Sequence, residues 1–211
     1  MSDRRRAERV LIGKGITGVV SLRQDVVVER ISAVELTVVS EAAVARGEQL
    51  ALEIQTGDGV TERCVTRVIE RRPALMNGRA CHRLSLRVLD AARNGLGTRL
   101  QALLTPLPAV SIQRIDVRLV DVSSKGYQLR SNYEFGEDTV GLLHVSIDGR
   151  VYTDAMRVSR ATAVQGGVGH RAAGQFLPIS PASIRSVRWL AEWLGKTALA
   201  SQSHALVSVS A

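Results

Sequence analysis

Aromatic side chains are scarce in this sequence, at 3% of 211 residues. Proteins that grip single-stranded nucleic acid stack bases on rings, so this shortage counts against that class. The core must then be packed from Val, Leu, Ile and Ala. Cysteine is nearly absent. Cys64 and Cys81 form no C-x-x-C pair, which excludes a structural zinc site and a disulfide framework. Both sit in apolar, strand-like runs and are expected to be buried thiols. His82, His144, His170 and His204 are scattered without metal-binding spacing, so no metal is expected. No apolar run approaches the roughly 18 residues of a membrane span. The basic N-terminus passes into short strand-like runs without an apolar leader, and the expectation is a cytoplasmic protein.

What is present points to strands. Hydrophobic residues make up 45% of the chain. Val is abundant and Gly punctuates short runs, the pattern of a mainly β protein. The net charge is +8, carried mostly by Arg. A basic surface attracts polyanions, and guanidinium groups fork onto phosphates and guanines. Gly13 to Val20 matches G-x-G-x-x-G-x-V and resembles a kinase glycine-rich loop. The companion motifs are missing: Leu84 follows His82-Arg83, and neither V-A-I-K nor D-F-G occurs. Val19 to Val28 reads as strand where a dinucleotide-binding fold starts a helix. These glycines are read as turn residues. Asp121, Asp138, Asp148 and Asp154 fall at turns or strand ends and form no catalytic pair. No enzyme activity is expected.

Shifting the second half onto the first by about 90 residues gives an ordered set of matches. Ser32 falls on Ser123, Ser40 on Ser131, Arg67-Val68 near Arg157-Val158, and His82-Arg83 near His170-Arg171. The first half reads as strands over Gly18–Leu22, Val26–Ile31, Leu36–Ser40, Gln49–Gln55, Glu62–Glu70 and Ala80–Val88. Gly57-Asp58-Gly59 is a hairpin turn, and Leu89 to Leu104 has helical spacing. The second half repeats the order: Ile112–Val120, Tyr127–Ser131, Val140–Ile147, an Asp148-Gly149 turn, Val151–Arg157, and Gly169–Leu177 after Gly166-Gly167. A helix opens at Ser180-Pro181-Ala182-Ser183, with Ile184, Val187, Leu190, Ala191 and Leu194 at helical spacing and Trp189 and Trp193 extending that face. Thr105-Pro106-Leu107-Pro108 reads as a linker. The expectation is two tandem small antiparallel barrels, 1–105 and 106–211, with a C-terminal capping helix.

Asp121-Val122-Ser123-Ser124-Lys125-Gly126 follows a period-two run and sits where a strand turns over. An Asp accepts from the N–H edge of a base, a Ser bonds a phosphate oxygen, and a Gly admits close backbone approach. The spacing resembles the D-x-S-x-x-G motif of PilZ domains, bacterial receptors for cyclic di-GMP. That family pairs the turn with an R-x-x-x-R arm, and Arg5 to Arg9 has this form at the far N-terminus. The resemblance implies six-stranded barrels. It also implies a cyclic di-GMP receptor or ligand-free adaptor acting through an unidentified protein partner, as a monomer or homodimer, in motility or exopolysaccharide control. The ligand residues would be Arg5, Arg9, Asp121, Ser123 and Gly126, with Arg114 and Arg118 as local substitutes. No cofactor is expected. A basic nucleic-acid-binding protein is the reading from another class. The pieces are divided: the first half has Arg30, Ser32 and Glu35 where the second has Asp121, Ser123 and Gly126. One expectation is therefore a composite site, with the arm of the first half completing the turn of the second.

Overall fold

Alternating burial fixes which way each strand faces. In β3 (Gln49–Gln55), Leu50, Leu52 and Ile54 point inward while the residues between them are partly or fully exposed. The same period-two pattern runs through β2 (Glu35–Ser40), β4 (Thr61–Met76) and β5 (Arg79–Val88). It recurs in β6 (Leu107–Val122), β7 (Gly126–Ser131), β8 (Val140–Ile147), β9 (Arg150–Ala163) and β10 (His170–Phe176). The remaining long strand is β1 (Val10–Ile31). Two short helices, α1 (Leu96–Gln101) and α2 (residues 187–195), complete the elements. This computed structural model describes residues 10–42, 44–56, 59–92, 95–103, 105–164, 167–179 and 181–195. The mainly β, all-antiparallel fold agrees with the barrel architecture expected from sequence.

Turn chemistry explains the hairpins. Asn77-Gly78 and Asp148-Gly149 hold positive φ at both central residues, the type I′ geometry that matches strand twist. The first of these carries β4 and β5 well beyond the two shorter strands read from sequence. It takes in Pro73 and leaves Leu75 exposed near the tip.

The chain divides into two compact units, and the division differs from a cut at the prolines. One unit is residues 22–114; the other joins residues 1–21 to 115–211. The physical reason lies in two long strands. Gly18–Leu22 and Val26–Ile31, expected as separate strands, are one strand of 22 residues. Its Gly18–Ser21 stretch pairs with β8, and its Val27–Ile31 stretch pairs with β2. Likewise β6 pairs through Ala109–Gln113 with β3 and through Arg118–Val122 with β7. The proline linker is not a break, because Leu107 already belongs to β6.

Taken separately, each unit uses the same strand order. In the 22–114 unit it is β1-β2-β5-β4-β3-β6; in the other it is β6-β7-β10-β9-β8-β1, and β1 also pairs with β6. The repeat extends to detail. Irregular register occurs between Val28 and Arg30 in one and between Leu119 and Asp121 in the other. Gly47 and Asp138 both hold positive φ and donate to the carbonyls of Val68 and Val158. Each unit therefore receives one strand from the far half of the chain.

The first unit buries Val26, Val28, Leu36, Leu50, Leu52, Ile54, Leu84 and Leu86 in one cluster, joined by Leu96 and Leu100 of α1. In the second unit Leu119, Leu129, Leu143, Val145, Met156 and Val158 are buried, as are Val187, Leu190 and Ala191 of α2. Each such side chain contributes on the order of 1.5–3 kcal/mol. The helix starts later than Ser180-Pro181 suggested: Ser186 accepts from the Trp189 N–H at 3.1 Å, as an N-cap does. Trp189 stacks on Tyr152, which supports the capping role expected for this helix. Cys64 and Cys81 are buried and free, and burial pushes the Cys64 thiol up to about 12.

Candidate functional site

The Asp121–Gly126 turn joins β6 to β7 in the unit built from residues 1–21 and 115–211. Valines and leucines alternating along β6 bury one face and carry the strand to Asp121, where the register slips and the chain turns. Asp121 and Ser123 are both buried, at 6% and 5% exposure. The Ser123 hydroxyl works inside the turn. It accepts from the N–H groups of Lys125 and Gly126 at 3.3 and 3.1 Å, and donates to the Gly126 carbonyl at 3.3 Å.

The matching turn of the other unit makes the same bonds. Ser32 accepts from the N–H groups of Val34 and Glu35 and donates to the Glu35 carbonyl. The serine is thus explained in both copies by turn closure alone. What distinguishes the second copy is Asp121 in place of Arg30 and Gly126 in place of Glu35. Gly126 has a packing role: a β-carbon there would lie 2.6 Å from the Gly174 carbonyl oxygen. At Gly174 a β-carbon would lie 2.4 Å from the Tyr127 hydroxyl. Two glycines therefore let β7 and β10 approach closely, with the Tyr127 ring tilted against Phe176 at 5.4 Å. Burial raises the Tyr127 phenol above its ordinary range, and its hydroxyl has no hydrogen-bond partner among the described residues.

Arg5 and Arg9 lie outside the described residues. The chain that leaves the arm is described from Val10 onward. It runs in β1, and its Gly18–Ser21 stretch pairs with β8 of the same unit that carries the turn. Gly18 is a close-contact residue, since a β-carbon there would meet the His144 carbonyl at 2.5 Å. The Gly13–Val20 stretch is thus part of a strand and not the set of turn residues read from sequence. Arg114 and Arg118 are both exposed on β6, but they fall in different units, Arg118 with the turn and Arg114 with the other. Arg130 and Arg171 were not singled out as site residues from sequence. They fall in one row with Arg118 only through the strand register.

No group of three or more metal-ligating side chains occurs among the described residues. Among them, too, no helix is long and apolar enough to cross a membrane.

No family model matches the chain, and no curated protein matches it. Three solved structures are similar over most of its length. The Bacillus subtilis inhibitor of motility (MotI/DgrA) is 10% identical, covers 90% of this chain and 99% of its own, and gives a TM-score of 0.33. MrkH of K. pneumonia in its apo state is 9% identical, with coverages of 86% and 90% and a TM-score of 0.34. PlzA of Borreliella burgdorferi, in complex with c-di-GMP, is 8% identical, with coverages of 81% and 87% and a TM-score of 0.27. At these identities and scores none of the three assigns a role to a residue of this chain.

Proposed function

We propose that this protein is a non-enzymatic receptor for cyclic di-GMP, seating the ligand on the barrel that carries Asp121–Gly126. Ligand binding changes its contacts with a protein partner, in control of motility or exopolysaccharide. One observation supports this above the others: the strand exchange through β1. Arg5 and Arg9 precede in sequence a strand whose Gly18–Ser21 stretch pairs into the unit that carries the turn, which supports reading arm and turn as parts of one site despite a separation of over 100 residues in sequence. The resemblance of the motif implies the roles. Arg5 and Arg9 bind phosphate or stack on guanine, Asp121 accepts from a guanine edge, and Gly126 keeps the strand low. Ser123 shapes the turn, and it contacts ligand only by giving up one of its local bonds.

Calorimetric titration of cyclic di-GMP into the full chain tests the proposal. Asp121→Ala and the double variant Arg5→Ala/Arg9→Ala should each weaken binding by about 1.5–3 kcal/mol, the scale of a hydrogen bond to a charged group. Ser32→Ala, in the matching turn, should leave affinity unchanged. Wild-type affinity in both site variants would place the ligand elsewhere. No binding by the wild-type chain would favour the ligand-free adaptor, a reading that Ser123's closed hydrogen bonding also suits.

A further inference from the structure

Three arginines stand side by side on the outer face of the turn-bearing barrel. Arg118 on β6 is directly opposite Arg130 on β7, and Arg130 is directly opposite Arg171 on β10. Arg171 in turn faces Thr162 on β9. Directly opposite residues of an antiparallel pair project to the same face with β-carbons about 4.5–5.5 Å apart. Their inward neighbours Leu119, Leu129 and Ala172 are buried, which turns the arginines outward. Like charges placed opposite one another destabilise a sheet, so the row needs a reason.

Ion pairing does not supply one. Among the described residues no carboxylate forms a salt bridge with Arg118, Arg130 or Arg171. The Arg171 Nε is buried and has no hydrogen-bond partner among the described residues. Next to it lies a cavity of about 470 Å³, lined by Arg130, Thr162, Ala163, Val164 and Arg171. The matching row of the other unit is Val27, Val39, Arg83 and Arg72. There the two arginines are neutralised, Arg83 by Glu29 through two hydrogen bonds and Arg72 by Glu70. The second copy thus has two arginines where the first has valines, and no salt bridge to them occurs among the described residues.

From this we infer that Arg118, Arg130 and Arg171, with the Thr162 hydroxyl, form an anion site for a small phosphate-bearing molecule. Guanidinium forks match phosphate oxygens in pairs, and an anion here offsets the repulsion along the row. The buried Nε gains the acceptor it lacks. The site is made of sheet residues several positions from the Asp121–Gly126 turn, and it stands whether or not that turn binds a nucleotide.

The probe is inorganic pyrophosphate added to the full chain at low ionic strength, read as a shift in Tm with chloride at matched ionic strength as control. Wild type should show a saturable rise that chloride does not reproduce. Arg130→Gln/Arg171→Gln should lose about tenfold or more in apparent affinity, Arg130→Gln alone should lose part of it, and Asp121→Ala should respond like wild type. Urea midpoints of the variants separate lost binding from lost folding. A wild-type response in the double arginine variant, no response in wild type, or loss in Asp121→Ala equal to that in the arginine variant would each overturn the site. Pyrophosphate binding by a chain that ignores cyclic di-GMP would defeat the receptor reading and leave this one standing.

Discussion

The two barrels share strand order, register irregularities and a serine-closed turn, yet they differ in what their surfaces ask for. The 22–114 unit pairs several of its arginines with acids: Arg23 with Glu53, Arg83 with Glu29, Arg87 with Glu35 and Arg99 with Glu62. Arg83 beside Glu29 holds that carboxyl below its ordinary value. The other unit has a row of arginines that form no salt bridge among the described residues, and it puts an Asp and a Gly into its turn. The contrast separates fold from function within one molecule. What both copies keep, above all Ser32 and Ser123, serves the turn. What only one copy has is where ligand chemistry should be sought.

The docking of the two helices sharpens the same comparison, and it carries the largest expected effect. Asp154 and Cys64 occupy matching positions, opposite Leu143 and Leu52. Asp154 is buried and accepts from the Arg188 backbone N–H at 2.8 Å and its Nε at 3.0 Å, fixing α2 to β9. Asp154→Cys installs the first copy's residue and removes the carboxylate from a buried, hydrogen-bonded ion pair. A loss of about 3–5 kcal/mol is expected in urea unfolding followed by Trp fluorescence. Stability within 1 kcal/mol of wild type (about the worth of a surface pair) would show that the copies tolerate each other's residue.

Gly126→Ala comes next. Its β-carbon would press on the Gly174 carbonyl, so β7 and β10 must separate, at a cost of about 1–3 kcal/mol by equilibrium unfolding. An unchanged midpoint would remove the packing role given to this glycine. Smaller and equal effects are expected for Ser32→Ala and Ser123→Ala, about 0.5–1.5 kcal/mol each. A much larger loss at one of them would break the equivalence of the turns.

The smallest effect concerns Glu48, whose counterpart is Thr139 by the shared bonds to Val68 and Val158. Burial raises the Glu48 carboxyl, and a hydrogen bond donated by the Gln113 side chain opposes this. A raised folded value means that the folded chain holds this proton more tightly than the unfolded one. Its contribution is therefore favourable below the ordinary value of 4.5 and is lost as pH rises through the raised value. Glu48→Gln should flatten the stability profile across that window, measured by urea midpoints at several pH values. A steeper profile would reverse the sign.

Much of this was legible in sequence because the period-two burial pattern and the turn pairs are local. Asp148-Gly149, the strands Gln49–Gln55 and Val140–Ile147, and the apolar face at Val187, Leu190 and Ala191 are all where spacing put them. The strand exchange was not legible. Charged and polar residues near Arg23–Asp25 interrupt the apolar pattern and read as a turn, yet the backbone continues through them as β1. The prolines at 106 and 108 read as a boundary, although a strand start tolerates proline. Arg118, Arg130 and Arg171 come together only through register between strands distant in sequence, a relation that no local pattern encodes.

The central claim is that the turn-bearing barrel is completed by β1 from the opposite end of the chain. Its most direct test is the fragment 106–211, followed by circular dichroism, sedimentation and urea unfolding beside the full chain. Without Gly18–Ser21 the β8 edge is unpaired, and an unpaired edge invites association. The fragment should therefore be unfolded or self-associated. A monomeric fragment that unfolds cooperatively with the stability of the full chain would contradict the exchange.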